Sequence, residues 1–237
     1  MSGIVDFHSH ILPGIDDGSA SVEESVAMLQ MEAEQGIRQV IATPHFYPQH
    51  DTPDRFLARR NQAEARLRDA MAGHKDLPEV LCGAEVYYFR GISDCEALPE
   101  LTIEKKQYIL IEMPHLPWTQ TMFFELEEIR ARWGITPIIA HVDRYLNPFS
   151  AHGIPQRLEE LSVLVQGNAG FFLRAGTRAK ALRMLGRDQI HLLGSDCHNL
   201  SGRAPNMGKA LQLIGRHLSP DVMERIVSYQ EQVLADI

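Results

Sequence analysis

The sequence predicts an α/β fold in which about seven parallel strands form a (β/α) barrel, one short of the regular eight. Three observations carry that reading. Strand-like and helix-like segments alternate from end to end, which implies parallel pairing with a helix between successive strands. A length of 237 residues with 44% hydrophobic content suits one barrel and a sizeable core. Nearly every strand-like run also stops, at its C-terminal edge, in a histidine or a carboxylate.

The elements follow in order. Ile4-Val5-Asp6-Phe7 runs into His8-Ser9-His10, and a polar loop leads to Ser21, which with Glu24 forms a capping-box signature. Val26, Leu29 and Ala33 recur at helical spacing, and Gly36 stops that helix. Val40 to Thr43 precedes Pro44-His45. A charged helix over 56–71 ends before Gly73, and its run from Arg55 to Asp69 is expected to be a solvated face. Val80 to Ala84 meets Glu85, Tyr108 to Ile111 meets Glu112, and Pro137 to Ala140 meets His141. A helix over 122–133, stopped by Gly134, separates the last two of these strands. Helices are expected over 154–161, 178–185, 207–214 and 222–234, the last capped by Ser219 with Pro220 at its first position. His191 to Ser195 runs into Asp196-Cys197-His198. No repeat, low-complexity linker or boundary splits the chain, so one domain over 1–237 is expected.

Bulk charge narrows the function. A net charge of -8 argues against nucleic acid and against a polybasic membrane surface. No apolar run approaches the roughly 20 residues that span a bilayer, and no secretory signal precedes the first strand, so no direct membrane insertion is expected. Cys82, Cys95 and Cys197 show no CxxC spacing, which suits a reducing cytoplasm, with Cys82 a small buried hydrophobe.

A parallel barrel gathers its strand ends on one face, where barrel enzymes place their chemistry. Five of the eleven histidines (His8, His10, His45, His141, His198) fall there with Glu85, Glu112 and Asp196. Asp17, beside Gly18, is the better-placed extra carboxylate of the Asp16-Asp17 pair. Nine such groups exceed the four to six that one ion takes and suit two or three ions. Imidazole and carboxylate without thiolate points to Mn, Fe, Zn or Mg. Three divalent ions would bring roughly +6 against four carboxylates, leaving a face attractive to an anion. Arg144 and Arg203 would stand beside the metals, where a guanidinium fork grips phosphate through paired hydrogen bonds. Tyr47, Tyr88, Trp118 and Phe123 lie near strand ends and could line a groove for an aromatic phosphoester. Of the remaining histidines, His50, His74, His152, His191 and His217 read as surface or core polar residues. His115 is close enough to the active face to support a ligand.

These residues carry a resemblance. The run from His8 to Gly18, Ala42-Thr43-Pro44-His45, Ile111-Glu112, Ile139-Ala140-His141 with Arg144-Tyr145, and Ser195 to Asn199 with Arg203 resemble bacterial PHP-superfamily (polymerase and histidinol phosphatase) tyrosine phosphatases of capsule and exopolysaccharide operons. The resemblance implies a distorted seven-stranded barrel, three metal ions, often manganese, and dephosphorylation of a membrane-associated tyrosine autokinase. It implies ligand roles for His8, His10, Asp17, His45, Glu85, Glu112, His141, Asp196 and His198, with phosphate contacts for Arg144 and Arg203. Val142-Asp143 departs from the Pro-Glu usual in the family, and the segment from Gly167 to Phe171 keeps only its Asn-Ala core.

The expected chemistry is in-line attack on phosphorus by a hydroxide held between metals, with Arg144, Arg203, Asp196 and His198 as the catalytic set. One alternative is a phosphatase of a small metabolite such as histidinol phosphate, or of nucleotides. Another is a metal-stabilised binding module without catalysis. A third is a cysteine phosphatase, because Cys197 and Arg203 have C-x5-R spacing, though the loop between them has one glycine and no second anion cradle.

Overall fold

A computed structural model describes residues 3–146 and 153–236. Its strands are β1 (Ile4–Ser9), β2 (Ile37–Ala42), β3 (His45–Phe46), β4 (Glu79–Cys82), β5 (Glu85–Tyr87), β6 (Tyr108–Glu112), β7 (Thr136–Ile139), β8 (Leu164–Asn168) and β9 (Leu192–Gly194). The helices are α1 (Val22–Glu34), α2 (Pro53–Met71), α3 (Gln120–Trp133), α4 (Ile154–Glu160), α5 (Ala169–Leu173), α6 (Arg178–Gly186), α7 (Met207–His217) and α8 (Pro220–Ala235). The strands pair in parallel as two sheets, β1-β2-β4 and β3-β5-β6-β7-β8-β9. The parallel α/β architecture is as expected, but among the described residues there are nine strand segments in two sheets rather than seven in one.

The difference has a local cause. Thr43-Pro44 separates β2 from β3, and Gly83-Ala84 separates β4 from β5. Proline lacks the N–H that a ladder needs, and glycine weakens a strand interior. Across the gap the chains stay in step: Gly83 N–H donates to Ala42 O (2.9 Å) and Glu85 N–H to Pro44 O (3.0 Å). At the other end, Asp196 N–H donates to His8 O (2.8 Å) and His10 N–H to Cys197 O (2.9 Å), so the sheet curls until the end of β9 meets β1.

Helix starts and stops follow their chemistry. Ser21 caps α1 by accepting the Glu24 N–H (3.2 Å), while Glu24 reaches back to the N–H of Ala20 rather than that of Ser21. Thr52 and Thr119 cap α2 and α3, starting both helices earlier than expected, and Gly134 ends α3 in the left-handed region (φ 66°). Ser219 occupies the N-cap of α8, but its hydroxyl makes no capping bond. Strand and helix residues share the main core, including Val40, Ile109 and Ile139 with Met28, Leu29 and Leu126. A second cluster joins Val5, Phe7, Ile41, Leu110, Ile138 and Leu192 to Val233 of α8.

Candidate metal centre

The strand ends hold the site because the backbone there departs from regular pleat. Between Asp6 and Ser9, β1 gains one residue on β2, which pairs Asp6 with Val40 and Ser9 with Ala42. This bulge lets Phe7 stay in the second core cluster while His8 turns to Glu85. His45 and Glu85 open β3 and β5, so they stand just past strand breaks rather than at strand ends. His141 (φ 31°) and Asp196 (φ 54°) adopt left-handed backbone that L-residues rarely take, a strain characteristic of functional turns. Close approach also demands glycine: a Cβ on Gly18 would lie 2.3 Å from His10 O, and one on Gly194 2.6 Å from the Cβ of His8.

All nine expected ligand groups converge, with Glu85 at the centre. Its Oε2 lies 3.2 Å from His8 Nε2, 3.3 Å from His10 Nε2 and 2.9 Å from His45 Nδ1, and its Oε1 lies 2.7 Å from His141 Nε2. Glu112 Oε1 is 3.5 Å from His141 Nε2. Asp196 Oδ1 is 3.7 Å from His8 and 3.6 Å from His10. Asp17, the one exposed member, places Oδ1 3.4 Å from His45 and 3.5 Å from His198. Three groupings bring a ligand atom from every member within 4.8 Å of the others: His10-Asp17-His45-His198, His8-His10-Glu85 and His45-Glu85-Glu112. His45 Nδ1 and Glu85 Oε2 are buried against each other at 2.9 Å, and His198 Nε2 is buried without a hydrogen-bond partner among the described residues. Hard carboxylate oxygens and imidazole nitrogens crowded into one cage are a donor set that fits divalent cations.

Electrostatics separates the members. Burial opposes charge on Glu85, yet His8, His10, His141 and His45 outweigh it and hold its carboxyl well below the usual range. Asp196 is depressed likewise, burial being overcome by His8, His10 and Arg203. His10 rises to about 10, because hydrogen bonds and attraction from Asp16 and Glu85 exceed its burial. His141 and His198 fall to about 4, chiefly through burial, and so present neutral rings. Burial and the neighbouring Glu85 raise Glu112.

Arg144 and Arg203 grip Asp196 from opposite oxygens, Nη2 to Oδ2 at 2.8 Å and Nη2 to Oδ1 at 2.7 Å. Arg144 also reaches Glu112 (3.1 Å), and Arg203 stands 3.9 Å from Asp17. Both guanidiniums are partly exposed and flank the cage. Cys197 is fully buried, and burial together with the charges of Asp6 and Glu32 pushes its thiol well above its ordinary value. That environment withholds the thiolate a C-x5-R nucleophile requires. Asp143 turns to Arg174 (3.6 Å), and burial raises its carboxyl to about 6.

Several supporting residues carried no sequence signal strong enough to single them out. Asp16 Oδ2 receives His10 Nδ1 (2.8 Å) and the His45 N–H (3.0 Å), orienting two ligands. Gln166 Oε1 accepts the His141 N–H (2.7 Å) and lies 3.3 Å from His8 Nδ1, while Asn168 donates to Asp196 Oδ2 (2.9 Å). The Tyr145 hydroxyl lies 3.3 Å from His141 Nδ1. An aspartate neighbouring a preferred ligand and two strand amides stand out only once the strands are assembled. His115 is exposed and packs its ring 5.9 Å from Tyr145, whose hydroxyl in turn reaches the His141 ring. His50, His74 and His217 are exposed, His191 is half-buried and accepts the Val165 N–H (2.9 Å), and His152 lies outside the described residues. Cys82 is buried, as expected.

The four candidate groove aromatics divide. Tyr88 is buried and bonded to Glu125, Phe123 is buried, and Trp118 packs against Tyr145 (5.1 Å) and Phe123 (5.6 Å). Tyr47 is half-buried and lines a cavity beside Asp17 and His45.

Comparisons with known proteins bear on the family and the fold. The sequence profile of a family described as capsular polysaccharide synthesis, CpsB/CapC, matches residues 4–235. The chain is similar to tyrosine-protein phosphatase CpsB of Streptococcus pneumoniae, 29% identical over 228 residues with 90% of each chain covered. It is similar to tyrosine-protein phosphatase YwqE of Bacillus subtilis, 28% identical over 98% of this chain and 91% of that one. A crystal structure from work on YwqE of B. subtilis and CpsB of S. pneumoniae, described as unique metal-dependent tyrosine phosphatases, superposes with a TM-score of 0.87 at 25% identity. That match covers 98% of this chain and 95% of the other.

Proposed function

The chain belongs to the CpsB/CapC family of capsular polysaccharide synthesis proteins, and from that premise we propose that it is a metal-dependent protein-tyrosine phosphatase. The observation that supports this most is the cage itself, in which imidazole and carboxylate groups from separate strands converge around Glu85 in three groupings spanning 4.8 Å or less. We assign it two to three divalent ions, manganese first among Mn, Fe, Zn and Mg. They would be held by His8, His10, Asp17, His45, Glu85, Glu112, His141, Asp196 and His198. When bound, such ions supply Lewis-acid activation of water and neutralise phosphoryl charge.

The chain's own residues supply the rest. Arg144 and Arg203 bind the phosphoryl oxygens from the two flanks of Asp196, giving in exchange a carboxylate partner for a phosphate one. Charge building on the equatorial oxygens is then met by two guanidinium forks already in place. Asp16, Gln166 and Tyr145 hold the rings of His10, His8 and His141 in fixed orientation. The breaks after Ala42 and Cys82 support joining β2 to β3 and β4 to β5, which makes the curled sheet a distorted seven-stranded barrel in one domain over 1–237. The substrate is a phosphotyrosine protein, a membrane-associated tyrosine autokinase of polysaccharide export, met in the cytoplasm.

Substitution separates the two roles. Asp196→Ala is expected to abolish turnover of a phosphotyrosine peptide. Arg203→Ala is expected to raise KM roughly 10- to 100-fold, the loss of a charge-assisted hydrogen bond, with metal per chain unchanged by elemental analysis. Undiminished turnover in Asp196→Ala would contradict the assignment.

A further inference from the structure

Beyond the cage, the loop leaving β3 builds a second feature. Tyr47, His50 and Asp51, with Ile15, Asp16, Asp17, His45 and Arg59, enclose a cavity of about 310 Å³. Its inner end is formed by Asp17 and His45, so a group bound there adjoins the cage directly. One wall is aromatic, formed by His45, Tyr47 and His50, and the rest is lined by Ile15, three aspartates and Arg59. The Tyr47 ring stacks on that of His45 (4.9 Å, 27°), meets His50 edge-on at 6.4 Å, and has Tyr87 at 5.7 Å behind it.

Tyr47 packs between His45 and Tyr87, and the outer rim is tied by the Arg59–Asp51 ion pair and by Arg59 Nη1 donating to Ile15 O (2.9 Å). A volume near the lower end of ligand pockets (roughly 300–1,000 Å³) admits one aromatic side chain with little beside it.

Resting on the phosphatase reading, we propose that this cavity is the aryl subsite: the phenyl ring of the substrate's phosphotyrosine packs against Tyr47 and His50 while its phosphate enters the cage. The ligand cage and the arginines recognise a phosphate of any ester. Tyr47 and His50 then determine the preference for aryl over alkyl phosphoesters, because a phenyl ring gains aromatic contact there and a serine methylene does not.

The test is binding, which needs no turnover. A peptide carrying phosphonomethyl-phenylalanine and a matched peptide carrying an alkyl phosphonate are titrated into manganese-loaded wild type, Tyr47→Ala and Tyr47→Leu. Inorganic phosphate binding is measured alongside. Both variants are expected to lose roughly 3- to 10-fold in aryl-phosphonate affinity. Alkyl-phosphonate and inorganic phosphate affinities are expected to stay unchanged. Equal affinity of wild type and variants for the aryl peptide would overturn the proposal. So would a parallel loss of phosphate affinity, which would mean that Tyr47 acts by bracing His45. Failure of the wild type to hydrolyse a phosphotyrosine peptide, with aryl binding intact, would instead defeat the phosphatase reading and spare the subsite.

Discussion

Asp6 Oδ1 accepts the backbone N–H groups of His8 (3.1 Å) and Ser195 (2.8 Å), tying β1 to the turn that carries Asp196 and His198. Its other oxygen and both oxygens of Glu32 are buried with no donor among the described residues, and Cys197 completes the group. A protonated carboxyl supplies the missing donor. Burial and the neighbouring Asp6 charge push Glu32 up to about 10. The folded state therefore holds a proton that the unfolded chain releases near the ordinary carboxylate value, so stability falls as pH rises between the two. Each pH unit in that window costs at most about 1.4 kcal/mol. Glu32→Gln keeps a donor and cannot ionise. Urea unfolding is expected to show its advantage over wild type growing by about 1–3 kcal/mol from pH 6 to pH 8.5; parallel pH profiles would refute the shared proton. Nothing in the sequence marks this pair, because Glu32 sits in an amphipathic helix as any surface glutamate would. The expected ligands were legible, by contrast, because all but Asp17 follow a strand-like run and are types that water or metal must satisfy.

At the level of elements, α2 and α3 were visible through their charge or apolar periodicity and their closing glycines. The segment β8 was not, since Leu164-Val-Gln-Gly-Asn is short and ends in amides rather than in a histidine or carboxylate. The same criterion failed to register the breaks at Thr43-Pro44 and Gly83-Ala84, which look like strand ends in sequence and are gaps in continuing ladders. The bulge in β1 is equally silent, being a matter of register with β2. Close packing of β9 against β1 can be tested. Gly194→Ala would put a methyl 2.6 Å from the Cβ of His8 and 2.7 Å from Gln166 Nε2. It is expected to cost about 1–3 kcal/mol in denaturant unfolding and to lower metal content. Gly202→Ala, with nothing within 4 Å, serves as the control. Wild-type metal content and stability in Gly194→Ala would contradict the packing account.

The whole molecule is acidic, with a net charge of -8, yet its proposed substrate is anionic. Long-range steering therefore opposes capture, and attraction must come from the cage and its two arginines. Among the described residues no helix is long and apolar enough to cross a membrane. The superposition with a structure described as a metal-dependent tyrosine phosphatase, at a TM-score of 0.87, gives the scaffold on which the proposed site is built. The most direct measurement is hydrolysis of a phosphotyrosine peptide before chelation, after chelation, and after manganese is restored, with Cys197→Ser assayed in parallel. The account predicts loss on chelation, recovery with manganese, and an active Cys197→Ser. Activity that survives chelation and disappears with Cys197 would contradict it.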